Sequence, residues 1–204
     1  MHAHVHPLVA AALARTACTL GLWAALAASS AMAVEVGDPA PVFESLDDTG
    51  APWKSADHVG TGFLVVYFYP ADMTGGCTKQ ACGFRDDART LAAKGVRVVG
   101  VSGDSVGNHR LFKKEYDLSF PLLADTEGKV AEAFGVPVTL GEKVVTRDIG
   151  GKTENLVRTV TAKRWTFVIG PDGTVVAKNT EVAAADDSRA VLALVEKLAA
   201  PAAR

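Results

Sequence analysis

The chain has 204 residues, 49% hydrophobic and 22% charged, with a formal net charge of -2. This is the composition of a globular protein of one domain plus a short appendage, large enough to bury a core without disulfide staples or a structural metal. The near-neutral charge offers no basic field for nucleic acid or other polyanions, although it leaves small charged substrates open.

The N-terminal segment is set apart from the fold by its composition. Arg15 is the only charged residue up to Val34. Residues 16–28 are thirteen small or apolar residues, among them Leu20, Leu22, Trp23 and Leu26, and Ala31 with Ala33 completes a small-x-small cleavage pattern. The pattern predicts a signal peptide over residues 1–33 and an exported domain over residues 34–204, destined for a bacterial periplasm or the extracellular space. The competing reading is an uncleaved anchor, in which case this segment is the chain's membrane contact. The uncharged stretch from Thr16 to Val34 is 19 residues, barely long enough to span. Its weak, alanine-rich hydrophobicity and A-x-A ending favour cleavage. Cys18 lies inside the apolar run rather than at its end, which argues against lipid attachment. His2, His4 and His6 read as a polar start to the segment rather than a metal tract. Residues 34–204 keep two cysteines, Cys77 and Cys82.

In chain order, residues 34–60 are punctuated by Pro39, Pro41, Gly50, Pro52 and Gly60 and read as irregular. Residues 63–69 form a continuous apolar, β-rich run ending at Pro70, which predicts a strand buried on both faces. After a polar turn over 71–76, residues 77–93 read as a helix closed by Gly95. A second buried strand is expected over 96–102, a helix capped by Ser105 over 105–116, a short strand over 120–123 and a short helix over 128–134. Residues 141–161 alternate in patches around Gly150 and Gly151 and read as a hairpin insertion. Residues 165–169, the turn Pro171-Asp172-Gly173 and residues 174–177 give a strand-turn-strand, and an amphipathic helix over 187–199 closes the chain. Strands alternating with helices, then a late hairpin, predict an α/β sandwich with a mixed central sheet flanked by helices. Chemistry in such folds sits at the carboxyl ends of strands.

The informative segment runs from Pro70 to Cys82. Cys77 falls in the first turn of a helix, where unpaired N–H groups and the helix dipole favour thiolate over thiol. Gly75 and Gly76 let backbone approach the sulfur closely, and Thr74, three residues earlier, can turn its hydroxyl toward the same pocket. Five residues along an α-helix is a rise of ~7.5 Å and a turn of ~140°, so Cys77 and Cys82 would stand roughly 8.6 Å apart at Cα. A disulfide needs roughly 4.4–6.8 Å. An exported protein with one cysteine pair normally holds a structural disulfide, but that conflicts with an intact helix. A redox pair that bonds after local unravelling fits.

Other classes fit less well. A general disulfide oxidoreductase would carry C-x-x-C rather than C-x₄-C. A copper-binding module would need histidine beside soft ligands, and His58 and His109 are remote from the cysteines in sequence. A binding module with a structural disulfide remains the third alternative. Asp104 and Asp125, at strand ends, suit turn or cap roles better than a metal pair.

The spacing of Pro70, Thr74 and Cys77 (Pro-x-x-x-Thr-x-x-Cys) resembles the active-site motif of peroxiredoxins. The run from Cys77 to Asp86 is similar to the bacterioferritin-comigratory or Q-type branch. Gly100-Val101-Ser102-x-Asp104, the run from Phe120 to Asp125, and Arg164-x-Thr166-Phe167-x-Ile169 match later landmarks in order. The resemblance implies a thioredoxin-like fold and a peroxidase that needs no metal or organic cofactor. It takes hydrogen peroxide or organic hydroperoxides as substrate and a thioredoxin-like dithiol as reductant. It implies that Cys77 is peroxidatic, Cys82 resolving, and Thr74 bonded to thiolate and peroxide. Pro70 would shield the sulfur, and Arg164 would favour the thiolate and stabilise charge on the peroxide oxygens. Monomer and homodimer both stay open. Gly75 stands where the family has proline, Gln80 where it has glutamate, and Trp165 where it has a small residue. The segment 135–161 is longer than usual in the family and bears on substrate access or an oligomer interface.

Overall fold

The computed structural model describes residues 1–2 and 33–199. The chain divides into two units, residues 1–30 and 31–204, and the second carries the fold described below. The apolar run of the expected signal peptide, with Cys18, lies outside the described residues. Among those described, no helix is long and apolar enough to cross a membrane.

The elements are β1 (Glu44–Asp47), β2 (Pro52–Lys54), β3 (Phe63–Phe68), α1 (Gly75–Asp86), α2 (Ala88–Ala93), β4 (Val96–Ser102), α3 (Val106–Tyr116), β5 (Leu122–Ala124), α4 (Lys129–Ala133), β6 (Val138–Ile149), β7 (Lys152–Ala162), β8 (Trp165–Ile169), β9 (Val175–Asn179) and α5 (Asp187–Ala199). Seven strands form one sheet in the order β2-β1-β5-β4-β3-β8-β9. β3 runs parallel to β4, and β4 parallel to β5, while β1, β8 and β9 pair antiparallel with their neighbours. The expected α/β sandwich with a mixed, helix-flanked sheet is therefore the fold observed.

Side-chain alternation along β3 divides the core. Val65 and Tyr67 enter a cluster with Phe84 of α1, Leu91 of α2, Phe112 of α3 and Val191 and Val195 of α5. Leu64, Val66 and Phe68 enter the opposite cluster with Phe43, Trp53, Phe134 and Phe167. Both faces are covered, which is why the sequence of β3 shows no polar alternation.

Three expectations change. Residues 34–60, read as irregular, hold β1 and β2, a short hairpin whose turn is closed by the Asp47 carboxylate accepting from Thr49 and Ala51. These strands are too short to leave a periodic signature. The single helix expected over 77–93 starts two residues earlier, at Gly75, and is interrupted at Asp87 between α1 and α2. The hairpin is longer than 141–161: β6 and β7 form a separate two-stranded sheet joined at Gly150 and Gly151, both at positive φ. Val145 and Leu156, paired across it, are buried in the same cluster as Met73 and Cys77.

Other local readings hold. Ser105 Oγ accepts from Asn108 N at 3.2 Å and caps α3. Asp125 accepts from the N–H groups of Val130 and Ala131 at the start of α4.

Phe134, fully buried, packs its ring against Phe43, Phe68 and Phe167 on the face away from Cys77. Phe134→Ala is expected to lower unfolding stability by roughly 3–5 kcal/mol. Urea denaturation measures this, while Cys77 alkylation per folded molecule should be unchanged.

Candidate active site

β3 ends at Phe68, and the chain passes Pro70, half-buried, into a turn whose residues Ala71, Asp72 and Met73 are buried. Met73 holds φ 55, a left-handed conformation uncommon outside glycine. α1 then begins with Thr74 as its N-cap and Gly75, Gly76 and Cys77 in its first turn. Cys77 is buried, Cys82 is half-buried one turn and a half further along, and both are free thiols. The helix is intact across the pair, as the spacing argument required.

Arg164 arrives from the residue before β8. Its Nη2 lies 3.2 Å from Cys77 Sγ, and its Nη1 donates to Gln80 Oε1. A methyl group at Gly76 would lie 3.3 Å from that Nη2, so glycine there leaves room for the guanidinium. At Gly75 a methyl would meet nothing within 4 Å. This is the first helical position, where proline is sterically at home, so glycine here makes the turn more pliable without opening a cavity.

Gln80 uses both ends of its amide. It accepts from Arg164 and donates from Nε2 to Asp187 Oδ2 at 2.7 Å, and Thr166 Oγ1 donates to the same oxygen at 2.7 Å. Burial pushes the Asp187 carboxyl up, and the Gln80 and Thr166 hydrogen bonds with the Arg164 charge pull it part of the way back. Read from the sequence, glutamine in place of glutamate only removes a charge near the sulfur. In the fold the carboxylate is supplied one residue further out, from the start of α5. Nothing in the spacing of Gln80 and Asp187 could have revealed this.

Thr74 donates its hydroxyl proton to the Ala71 carbonyl at 3.1 Å. With that proton committed, its oxygen can serve a ligand as an acceptor. Trp165 does not shape this side of the site. Strand alternation sends Thr166 toward Asp187 and turns Trp165 to the other face, where it packs on the second cluster under Lys178, whose Nζ lies 4.9 Å from the ring centre.

Beneath the turn lies a buried polar cluster that sequence reading missed. Asp72 accepts from Tyr69 OH at 2.8 Å and pairs with His109 Nδ1 at 2.8 Å, while its own N–H donates to Asp104 Oδ2 at 2.9 Å. Ser102 Oγ and Asn108 Nδ2 also donate to Asp104. Asp104 thus orders the turn. Burial pulls His109 down, but Asp72, through its charge and hydrogen bond, and Asp104 outweigh it and hold the imidazole above its ordinary value.

A buried sulfur at a helix N-terminus, an arginine on it and a second thiol on the same helix form a site for thiol redox chemistry. A model described as the AhpC/TSA family matches residues 36–178. The chain belongs to the AhpC/TSA family. A protein provisionally named peroxiredoxin bcp from Coxiella burnetii is 40% identical over 144 residues, 71% of this chain and 87% of that one. The crystal structure of peroxidoxin BcpB from Mycobacterium tuberculosis superposes with a TM-score of 0.68 at 34% identity, covering 82% of this chain and 99% of that one. A Xanthomonas campestris bacterioferritin comigratory protein, in a structural study of its alkyl peroxide reduction, superposes with a TM-score of 0.65 at 30% identity, covering 82% and 98%. The chain is thus a peroxiredoxin of the bacterioferritin-comigratory or Q-type branch and a thiol-dependent peroxidase, with a peroxide as substrate and a thiol as reductant.

Two outcomes follow from this geometry. Gln80→Met, which keeps volume but removes both hydrogen bonds, is expected to slow the peroxiredoxin's first reaction with peroxide about tenfold, read by stopped-flow fluorescence. The His109–Asp72 pair contributes stability that is complete below the unfolded histidine value of 6.5 and is lost as pH rises through the higher folded value. Parent stability in urea is therefore expected to fall as pH rises above the unfolded histidine value of 6.5, and the double variant Asp72→Asn with His109→Asn should lose that component.

Proposed function

We propose that Cys77 is the peroxidatic cysteine and Cys82 the resolving cysteine of a two-cysteine cycle. The observation that carries this is the 3.2 Å contact of Arg164 Nη2 with Cys77 Sγ at the N-terminus of a helix that also bears the free Cys82. The Cys77 thiolate attacks one oxygen of a hydroperoxide. The O–O bond breaks, Cys77 becomes a sulfenic acid, and the leaving alkoxide or hydroxide takes a proton to depart as alcohol or water. Arg164 faces both the sulfur and the oxygens on which charge builds. Thr74 accepts a hydrogen bond from the peroxide O–H, and Pro70 screens the sulfur from water. The first turns of α1 then unravel, and the Cys82 thiol displaces water from the sulfenic acid to form the disulfide. A thioredoxin-like dithiol reduces that disulfide by exchange.

Met73 is buried in the same apolar cluster as Cys77, an environment that suits organic hydroperoxides as well as hydrogen peroxide. We further propose that residues 1–33 direct export, on the strength of the apolar run and the Ala31-x-Ala33 ending. The test is peroxide consumption with a thioredoxin system. Cys77→Ser is expected to abolish turnover, and Cys82→Ser to stall after about one equivalent of peroxide. Turnover by Cys77→Ser would rule out the assignment.

A further inference from the structure

The hairpin of β6 and β7 touches the active-site turn at a point that the proposed cycle does not use. Arg147, on β6, donates from Nε to the Met73 carbonyl at 2.9 Å. Met73 is the left-handed residue immediately before Thr74, so that contact falls on the most strained peptide of the turn. The hairpin is anchored firmly enough to act as a fixed arm. Its inner residues Val145 and Leu156 are buried in the cluster that holds Met73 and Cys77. Its second strand is tied to the segment after β4 by the Asp104–Arg158 backbone bridge and to α3 by Asn108 Nδ2 donating to the Val157 carbonyl at 3.1 Å. Gly103 lies so close beneath β7 that an added methyl would come within 2.1 Å of the Val160 carbonyl.

We propose that Arg147 is a positioning residue, a clamp that holds residues 73–77 in the wound, peroxide-reactive state and so opposes the unravelling that lets Cys82 reach Cys77. The proposal rests on the assignment of Cys77 and Cys82 made above. It ties the hairpin to regulation of the site. The sulfenic acid on Cys77 has two fates. It condenses with the Cys82 thiol, forming the S–S bond and releasing water, or it attacks a second hydroperoxide and becomes a sulfinic acid, releasing an alcohol or water. The first fate needs the helix to open and the second needs it closed, so a clamp on the turn shifts the partition toward sulfinic acid at high peroxide.

The test compares the full chain with Arg147→Met and Arg147→Lys. Stopped-flow fluorescence gives the rate of peroxide attack, and intact-mass spectrometry after a peroxide titration gives the ratio of disulfide to sulfinic acid. Attack starts from the wound state, which remains dominant, so its rate is expected to stay within about twofold of the parent in Arg147→Met, while the ratio of disulfide to sulfinic acid rises about fivefold. Arg147→Lys, which keeps a charged donor, is expected to move the ratio back toward the parent. An unchanged ratio in Arg147→Met, or a fall in both steps together with the melting temperature, would overturn the clamp. Failure of Cys77→Ser to stop turnover in a parallel run would instead remove the underlying assignment.

Discussion

Arg164 reaches Cys77 because three elements remote in sequence converge at one end of the sheet. A guanidinium in a half-buried site needs acceptors on more than one side, and here the Cys77 sulfur and the Gln80 carbonyl provide them. Gln80 can face the arginine with its oxygen because its nitrogen is taken by Asp187, and Asp187 is held by Thr166 as well. The amide thus transmits the orientation of a carboxylate on α5 to a cation beside a sulfur on α1. Every member of this chain has its hydrogen bond made, which is what allows polar groups to sit at the edge of an apolar core without a large desolvation cost.

The same helix meets two opposed demands. An intact α1 places the sulfur at the positive end of the helix dipole, under the arginine. A disulfide with Cys82 requires that helix to open. Two glycines in the first turn lower the cost of opening, because glycine gains more backbone freedom than any other residue when it leaves a helix. Further along, Ala81 and Phe84 are buried and pin the remainder of α1 to the sheet. The first turn can therefore yield while the body of the helix keeps its packing.

The turn before α1 is held from both sides. Below it, Asp72 is fixed by Tyr69, His109 and Asp104 in a cluster removed from solvent. Above it, the hairpin contributes a charged donor to the Met73 carbonyl. A left-handed, non-glycine residue between two such anchors is a conformation that the surroundings impose rather than one the local sequence prefers.

The sequence alone carried the order of elements from β3 onward, apart from the break at Asp87, because apolar runs such as 63–68 and capping residues such as Ser105 act locally. It also determined that Cys77 and Cys82 share a helix, and the recurrence of ordered motifs pointed to Arg164. Tertiary structure alone decided that Gln80 is a bridge, that Asp187 and Thr166 complete it, and that Trp165 faces away from the site. It likewise decided that Asp72 and His109 meet under the turn and that Arg147 reaches Met73. These are contacts between residues 21 to 107 positions apart. Hydrophobic periodicity carries no record of them, because a polar side chain's partner is set by how whole elements dock.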